Sequence, residues 1–343
     1  KNDASSKEID NETLNLSEDS VHHDNDRISG NIENLLTTKY NGNINDLLKG
    51  LWKLQVQDNV KYHSYINVDA LLSLQNPRTS LSDEVTFIVI HQQFELLAKL
   101  CIQEISLIQK SYVKLGFINE SVFEKRLLRV NAYFKIILDS LDLLSPKFFD
   151  TEEFFQFRMA LYPASGFQTA QFRQIEFMMT QVENLTFQKS EMKLLGIKYS
   201  DEEENLEYMR VYWKLGGRDR ITGEKLEMLK DFEERYDDSF IDIIGKNKEI
   251  NLNSILEREN ISDSIIDLYR ELQQLIVDWK IKHIKTIIPH FKLFRQLNDK
   301  YNWKVDPRKG TGDTNAIKYL NSGMQIRYFP SLKAQLADKV AST

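Results

Sequence analysis

The chain has 343 residues, and its 45 Lys and Arg against 51 Asp and Glu give a formal net charge of -6. That length allows one large domain or two ordinary ones, and the mild acidity argues against a general nucleic-acid binder, because neutralising phosphates requires a basic surface. The single cysteine, Cys101, excludes an internal disulfide and a thiolate metal cluster, and it favours a reducing, cytoplasmic setting.

Residues that form tight turns are scarce. The chain has 13 Gly and 6 Pro, where average usage would give about 24 and 17, so we expect long elements rather than a sandwich, propeller or barrel. No stretch approaches the ~18 uninterrupted apolar residues of a transmembrane helix, and no association with a membrane is expected.

The N-terminal segment differs in composition from the rest. Residues 1–30 contain eight acidic and three basic residues and no Phe, Trp or Tyr, so they cannot bury enough apolar surface to offset the entropy lost on ordering. We predict that 1–45 form a disordered or loosely docked acidic arm, and that 46–343 form one all-α domain.

Four stretches of that domain repeat apolar residues with the 3.6-residue period of a helix. They cover 87–108, 122–144, 154–179 with a break at 163–166, and 265 towards Pro289. A charge-dense segment at 196–262 is interpreted as an inserted hairpin of two solvated helices, with Gly216-Gly217 as the turn between them. The predicted fold is an all-α bundle.

Two histidines lie on apolar helix faces. His91 comes four residues after Phe87 and three before Phe94, and His283 comes four after Trp279. Each could be a neutral core imidazole that is hydrogen-bonded to a neighbour. Two such histidines on separate helices also suit a haem enclosed by the bundle, with one imidazole on the iron and the other on the side that binds gas.

Arg158 lies on an aromatic helix, one turn after Phe154 and close to Phe155 and Phe157. Such a guanidinium either pairs with an acid, here Glu152 or Glu153, or awaits an anionic ligand such as a carboxylate, which its planar fork can bind through two hydrogen bonds. The turn at Ser165-Gly166 opens the next helix, whose N–H groups can also bind an anion.

Five sequence blocks together resemble the tryptophan 2,3-dioxygenase family, over about residues 60 to 325. The blocks are YHSYINVDALLSLQ at 62–75, HQQFELLAKL at 91–100, FRMALYPASGFQTAQFRQIE at 157–176, WKIKH at 279–283, and GTG at 310–312 followed by YL at 319–320. The resemblance implies an all-α homo-oligomer, a dimer or tetramer, that contains haem b. It also implies an enzyme that inserts both atoms of O2 across the indole 2,3-bond of L-tryptophan to give N-formylkynurenine.

The same resemblance implies roles for individual residues. His283 matches the proximal iron ligand, His91 the distal histidine that meets the indole N–H, and Arg158 the clamp for the substrate carboxylate. The remaining matches are Phe87, Phe154 and Leu161 in the pocket wall, Ser165, Gly166 and Phe172 beside the haem, Tyr62 and Tyr65 on a segment that reaches a neighbouring subunit's pocket, and Thr311 on the loop that closes over the substrate.

The sequence departs from the family near that loop. His283 and Thr311 are 28 positions apart, which is longer than usual for the family, and Asp313 stands where the family has a glycine. Two alternatives to tryptophan oxygenation therefore stay open: oxygenation of another indole or a substituted tryptophan, and a non-catalytic haem-binding helical protein.

Overall fold

The structure is a computed structural model that describes residues 61–187, 207–219, 222–301, 320–321 and 323–332. The predicted arm at 1–45 and Thr311 lie outside these residues. The chain divides into two compact units, 1–74 and 75–343. In the first unit, the described residues form two short helices, α1 (Tyr62–Tyr65) and α2 (Val68–Leu72).

In the second unit, the described residues form α-helices, turns and short 3-10 segments. The α-helices among these residues are α3 (Ser82–Leu115), α4 (Glu120–Ser140), α5 (Thr151–Leu161), α6 (Ala170–Met179), α7 (Tyr212–Gly216), α8 (Glu227–Asn247), α9 (Leu252–Arg258) and α10 (Asp263–Tyr301). In the described ranges, extended pairing is limited to two isolated bridges, Thr186 with Val211 and Arg218 with Lys225. The all-α prediction is confirmed.

The long helices α3, α4 and α10 form the centre of this unit. Helix α4 packs against both of the others, while α5 and α6 pack on α3. The apolar period explains the packing: Cys101, Ile105 and Ile108 recur every three or four residues on one face of α3, and each is at most 1% exposed. This arrangement brings α3, α5 and α10 together around one cavity.

The interpretation of the charge-dense segment as a solvated hairpin is wrong for the part that the structure describes. Tyr212 and Trp213 of α7 are buried in the core, and so are Leu229, Phe232 and Phe240 of α8. Most charged residues of α8 are exposed, and Glu233 and Asp237 pair with the buried Lys214. Apolar residues at helical spacing occupy the inner face of the helix. The charge count of this segment therefore concealed an amphipathic pattern.

Helix α10 does not end near Pro289. It continues to Tyr301, with the proline inside it. A proline removes one backbone donor, but the apolar period persists beyond it through His290 and Phe294, which are 3% and 1% exposed. Packing of this later face compensates for the lost hydrogen bond.

Helix α3 is long and apolar enough to cross a bilayer, judged by length and composition alone. The core helix of a soluble protein meets the same criterion, and α3 packs on α4, α5 and α6 and buries Glu84, Glu104 and Gln109. We assign no membrane span to it.

Candidate active site

A cavity lies between α3, α5 and α10, and most of its lining is apolar. The predicted site residues that line it are Phe87, His91, Phe154, Arg158, Ser165, Gly166 and His283. They come from helices far apart in sequence, so tertiary packing brings together residues that the sequence had singled out separately.

His91 is fixed in one tautomer by its own helix. Its Nδ1 lies 2.7 Å from the carbonyl oxygen of Phe87, one turn earlier. A carbonyl can only accept, so Nδ1 carries the proton and donates it. Burial lowers the pKa of His91, and the neutral ring is therefore left with Nε2 as a hydrogen-bond acceptor.

His283 is a neutral imidazole on the α10 wall of the same cavity. Burial, and then the nearby His91, lower its pKa to about 4. Its Nδ1 is buried and has no hydrogen-bond partner among the described residues. Because a metal binds the unprotonated nitrogen of a neutral imidazole, the state of His283 is the one that an iron ligand requires.

Arg158 reaches the cavity from α5 and is only 5% exposed. Burial lowers the pKa of its guanidinium to about 10, which leaves the group cationic at neutral pH. The two acids considered as partners have contacts of their own: the Glu153 carboxylate accepts from the Asp83 N–H at 2.9 Å, and Glu152 accepts from the Tyr301 hydroxyl.

The turn between α5 and α6 forms another part of the lining. The Ser165 hydroxyl accepts from the Phe167 N–H at 3.3 Å, and the Gln168 side chain accepts from the Ser165 N–H at 3.1 Å. This reciprocal cap holds the turn in place. A Cβ added to Gly166 would meet no atom within 4 Å, so the backbone here borders open space.

His290 also lines the cavity, but both of its ring nitrogens are already used. Nε2 lies 2.7 Å from the Leu144 carbonyl oxygen and must donate to it. Nδ1 lies 2.8 Å from the Thr151 hydroxyl and accepts from it. His290 is therefore part of the wall and is not available as a metal ligand in this arrangement.

Other predicted site residues are placed differently. Leu161 and Phe172 are not among the residues that line the cavity; the Phe172 ring packs against Trp279, with 5.1 Å between the ring centroids. Tyr62 and Tyr65 belong to the first unit and are each 76% exposed. The roles suggested for these four residues stay predictions.

Sequence reasoning missed several lining residues. They include Phe149, Thr286, Ile287, Phe291 and Leu320. Thr286 and Ile287 lie one turn after His283, so helical spacing alone could have identified them. Leu320 carries no local signal, because its position depends on where the chain returns after α10.

The lining residues fit a haem. The described His, Cys, Asp and Glu side chains form no group of three that could hold a metal ion directly, so an ion at His283 would need a macrocycle to complete its coordination. A neutral His283, an apolar wall and the open space beside Gly166 meet that requirement.

Comparisons with known proteins agree with this arrangement. The sequence model of the family described as tryptophan 2,3-dioxygenase matches residues 52–216. The tryptophan 2,3-dioxygenase of Bacillus thuringiensis subsp. konkukian is 25% identical over 280 residues, which are 80% of this chain and 91% of the relative. The enzyme of that name from Caulobacter vibrioides is 27% identical over 279 residues, 79% of this chain and 95% of the relative. Over about four fifths of its length the chain is therefore similar to tryptophan 2,3-dioxygenases, at about one quarter identity.

Proposed function

We propose that this protein is a haem-dependent dioxygenase that cleaves the indole 2,3-bond of L-tryptophan with O2 and releases N-formylkynurenine. One observation carries the proposal: His91, His283 and Arg158, from three different helices, line the same apolar cavity. One group is suited to the iron, one to the indole nitrogen and one to the amino-acid carboxylate. Both atoms of O2 end in the product, so the overall reaction needs no other oxidant or reductant.

Arg158 would bind the substrate carboxylate. The group is cationic and buried, and in such surroundings a charge-assisted hydrogen bond is stronger than in water. Thr311, which lies outside the described residues, is the second group that we propose for this end of the substrate. Fixing the carboxylate places the indole ring at a defined point in the cavity, which lowers the entropic part of the barrier.

His91 would orient the ring. With its Nδ1 proton committed to Phe87, the free Nε2 lone pair can accept the indole N–H. We propose that His91 is a positioning group and that it removes no proton permanently, because bond formation at the indole carbons does not require prior loss of a tightly held proton. Its low pKa keeps it in the accepting form at neutral pH.

His283 would hold haem b through its unprotonated nitrogen, and the bound haem would supply the activation of O2 that side chains cannot provide. The aromatic rings of Phe87, Phe149 and Phe154 border the cavity, where they would exclude water from the reacting atoms. We further propose that the enzyme works in the cytoplasm as a homo-oligomer, a dimer or tetramer, with Tyr62 and Tyr65 at a neighbouring subunit's pocket. The high exposure of both tyrosines supports this assignment.

The test is product analysis with isotopically labelled O2. Protein reconstituted with haem is reduced without oxygen, mixed with L-tryptophan and then exposed to the labelled gas. We expect N-formylkynurenine that carries two labelled oxygen atoms. Protein with a full complement of ferrous haem that yields no such product at any enzyme concentration would overturn the proposal.

Two further measurements complete the design. Substituted tryptophans and other indoles, tested in parallel, show whether one of them is the better substrate. Haem binding with no tryptophan-induced change in the haem spectrum and no product would favour the non-catalytic haem-binding alternative.

A further inference from the structure

The part of α10 beyond His283 contacts the helix that carries Arg158. Helix α10 continues for eighteen residues past His283, to Tyr301. Along this extension, α10 meets α5 at two buried points. The first is the hydrogen bond at 2.8 Å between His290 Nδ1 and the Thr151 hydroxyl, which ties the extension to the first residue of α5.

The second point is a pair of stacked rings beside Arg158. Phe294 of α10 lies on Phe155 of α5 with ring centroids 3.5 Å apart and planes 17° from parallel. Each of the two residues is 1% exposed. The Arg158 Cζ atom lies 4.8 Å from the centroid of Phe155 and 5.7 Å from that of Phe294. A third ring, Phe154 of α5, lies 6.0 Å away. The guanidinium is therefore held beside rings from both helices, and Phe294 is the one that α10 provides.

These contacts bear on how well Arg158 can bind a carboxylate. An arginine side chain has several rotatable bonds, and ordering them on binding costs conformational entropy. Aromatic rings restrict the guanidinium before a ligand arrives and attract the cation. Phe155 comes from the same helix as Arg158, whereas Phe294 is available only because α10 continues past Pro289.

We propose that Phe294 is a positioning residue for Arg158, so that the extension of α10 sets how tightly the site holds the carboxylate of its substrate. The inference rests on the proposed function, in which Arg158 is the carboxylate clamp. It assigns a binding role to Phe294, which is not among the residues that line the cavity.

The experiment compares ligands with and without a carboxylate. Binding to the ferric haem protein is followed through the haem spectrum, with L-tryptophan and with tryptamine, which lacks the carboxylate. Phe294→Leu should raise the Kd for L-tryptophan roughly 3- to 30-fold, the range expected when a cation loses an aromatic face. The Kd for tryptamine should not change. Phe294→Met, whose unbranched side chain can adapt to the space left by the ring, serves if the leucine variant fails to fold.

A double-mutant cycle then tests whether Phe294 acts through Arg158. Adding Phe294→Leu to Arg158→Leu should cause no further loss of L-tryptophan affinity. Phe123→Leu is the matched control, since Phe123 is a buried ring that packs on Tyr269 and is not among the lining residues. It should leave both Kd values unchanged.

The two possible failures differ. If Arg158→Leu leaves the Kd for L-tryptophan unchanged, the clamp in the proposed function is wrong. If Arg158→Leu weakens binding but Phe294→Leu affects both ligands equally, or neither, the clamp stands and the role of Phe294 is refuted.

Discussion

Lys280 Nζ donates a 2.8 Å hydrogen bond to the carbonyl oxygen of Gly323. The bond joins α10, one turn before His283, to the segment after Leu320, another residue of the cavity wall. The same ammonium donates to the Tyr328 hydroxyl at 2.9 Å. The C-terminal segment is thus attached to the helix that carries the proposed iron ligand.

A buried acid completes this cluster. Glu176 of α6 accepts from the hydroxyls of Tyr212 and Tyr328, each at 2.6 Å, and from Arg173 at 3.1 Å. Two cations and one carboxylate are therefore buried together, with two tyrosines between them. Removing one member of such a group leaves a buried charge without a partner of opposite sign. The free energy of unfolding then commonly falls by more than the intact pair contributed.

The first prediction concerns Gly323→Ala. The added Cβ would lie 2.8 Å from Tyr212 Cε2 and 3.1 Å from Lys280 Nζ, so the segment must move away from the cluster. We expect the free energy of unfolding to fall by about 1–3 kcal/mol, as is typical of overpacking, in a denaturant titration.

Gly245→Ala is the matched control. Gly245 lies on the exposed side of α8, and a Cβ there would meet no atom within 4 Å. Alanine in a helix should raise the free energy of unfolding by about 0.5–1 kcal/mol. Equal effects of the two substitutions would show that close packing at Gly323 does not matter.

The second prediction is a pH dependence caused by Lys280. Burial lowers the pKa of this ammonium from its ordinary 10.5 to about 8. Above pH 8 the folded chain therefore holds fewer protons than the unfolded chain, and the free energy of unfolding rises with pH, by at most about 1.4 kcal/mol per pH unit. Below that pH the cost of burying the charge is fully present.

Lys280→Met removes this titration. The unfolding free energy of the wild type minus that of the variant should increase between pH 8 and about 9.5, measured by denaturant titration at each pH. The window stops there because burial raises the pKa of Tyr328, which reverses the slope once tyrosines in the unfolded chain ionise near pH 10. A difference that stays constant across the window contradicts the prediction.

Helical spacing predicted much of the site, and its limits have a physical reason. His91 and His283 could be placed on apolar faces because residues four apart share a face of a helix. Phe294 could not, since a proline ordinarily ends a helix and only the packing of α10 on α5 carries the helix past Pro289. Gly323 gave no signal either, because its requirement for space comes from Tyr212 and Lys280, which are distant in sequence.

The third prediction separates the two histidines of α10. His283→Ala should abolish stoichiometric haem binding, because it removes the nitrogen that we propose as the iron ligand. His290→Ala should retain haem, since its ring nitrogens are engaged by Thr151 and Leu144. Haem per polypeptide is measured after reconstitution and removal of the excess. Full haem content in His283→Ala would mean that another residue binds the iron.

The fourth prediction tests His91 as an acceptor for the indole N–H. His91→Ala should keep its haem and lower kcat/KM for L-tryptophan by roughly 10- to 100-fold, the loss expected when a ring is held less precisely.

The discriminating substrate is tryptophan methylated on the indole nitrogen, which has no proton to donate. The wild type should use it poorly, because the methyl group would press against the His91 ring and the hydrogen bond to Nε2 could not form. In the alanine variant, the kcat/KM values for the two substrates should differ less than in the wild type. The substitution removes both the acceptor for the indole N–H and the ring that obstructs the methyl group. An alanine variant that discriminates between them as strongly as the wild type would show that His91 does not contact the indole nitrogen.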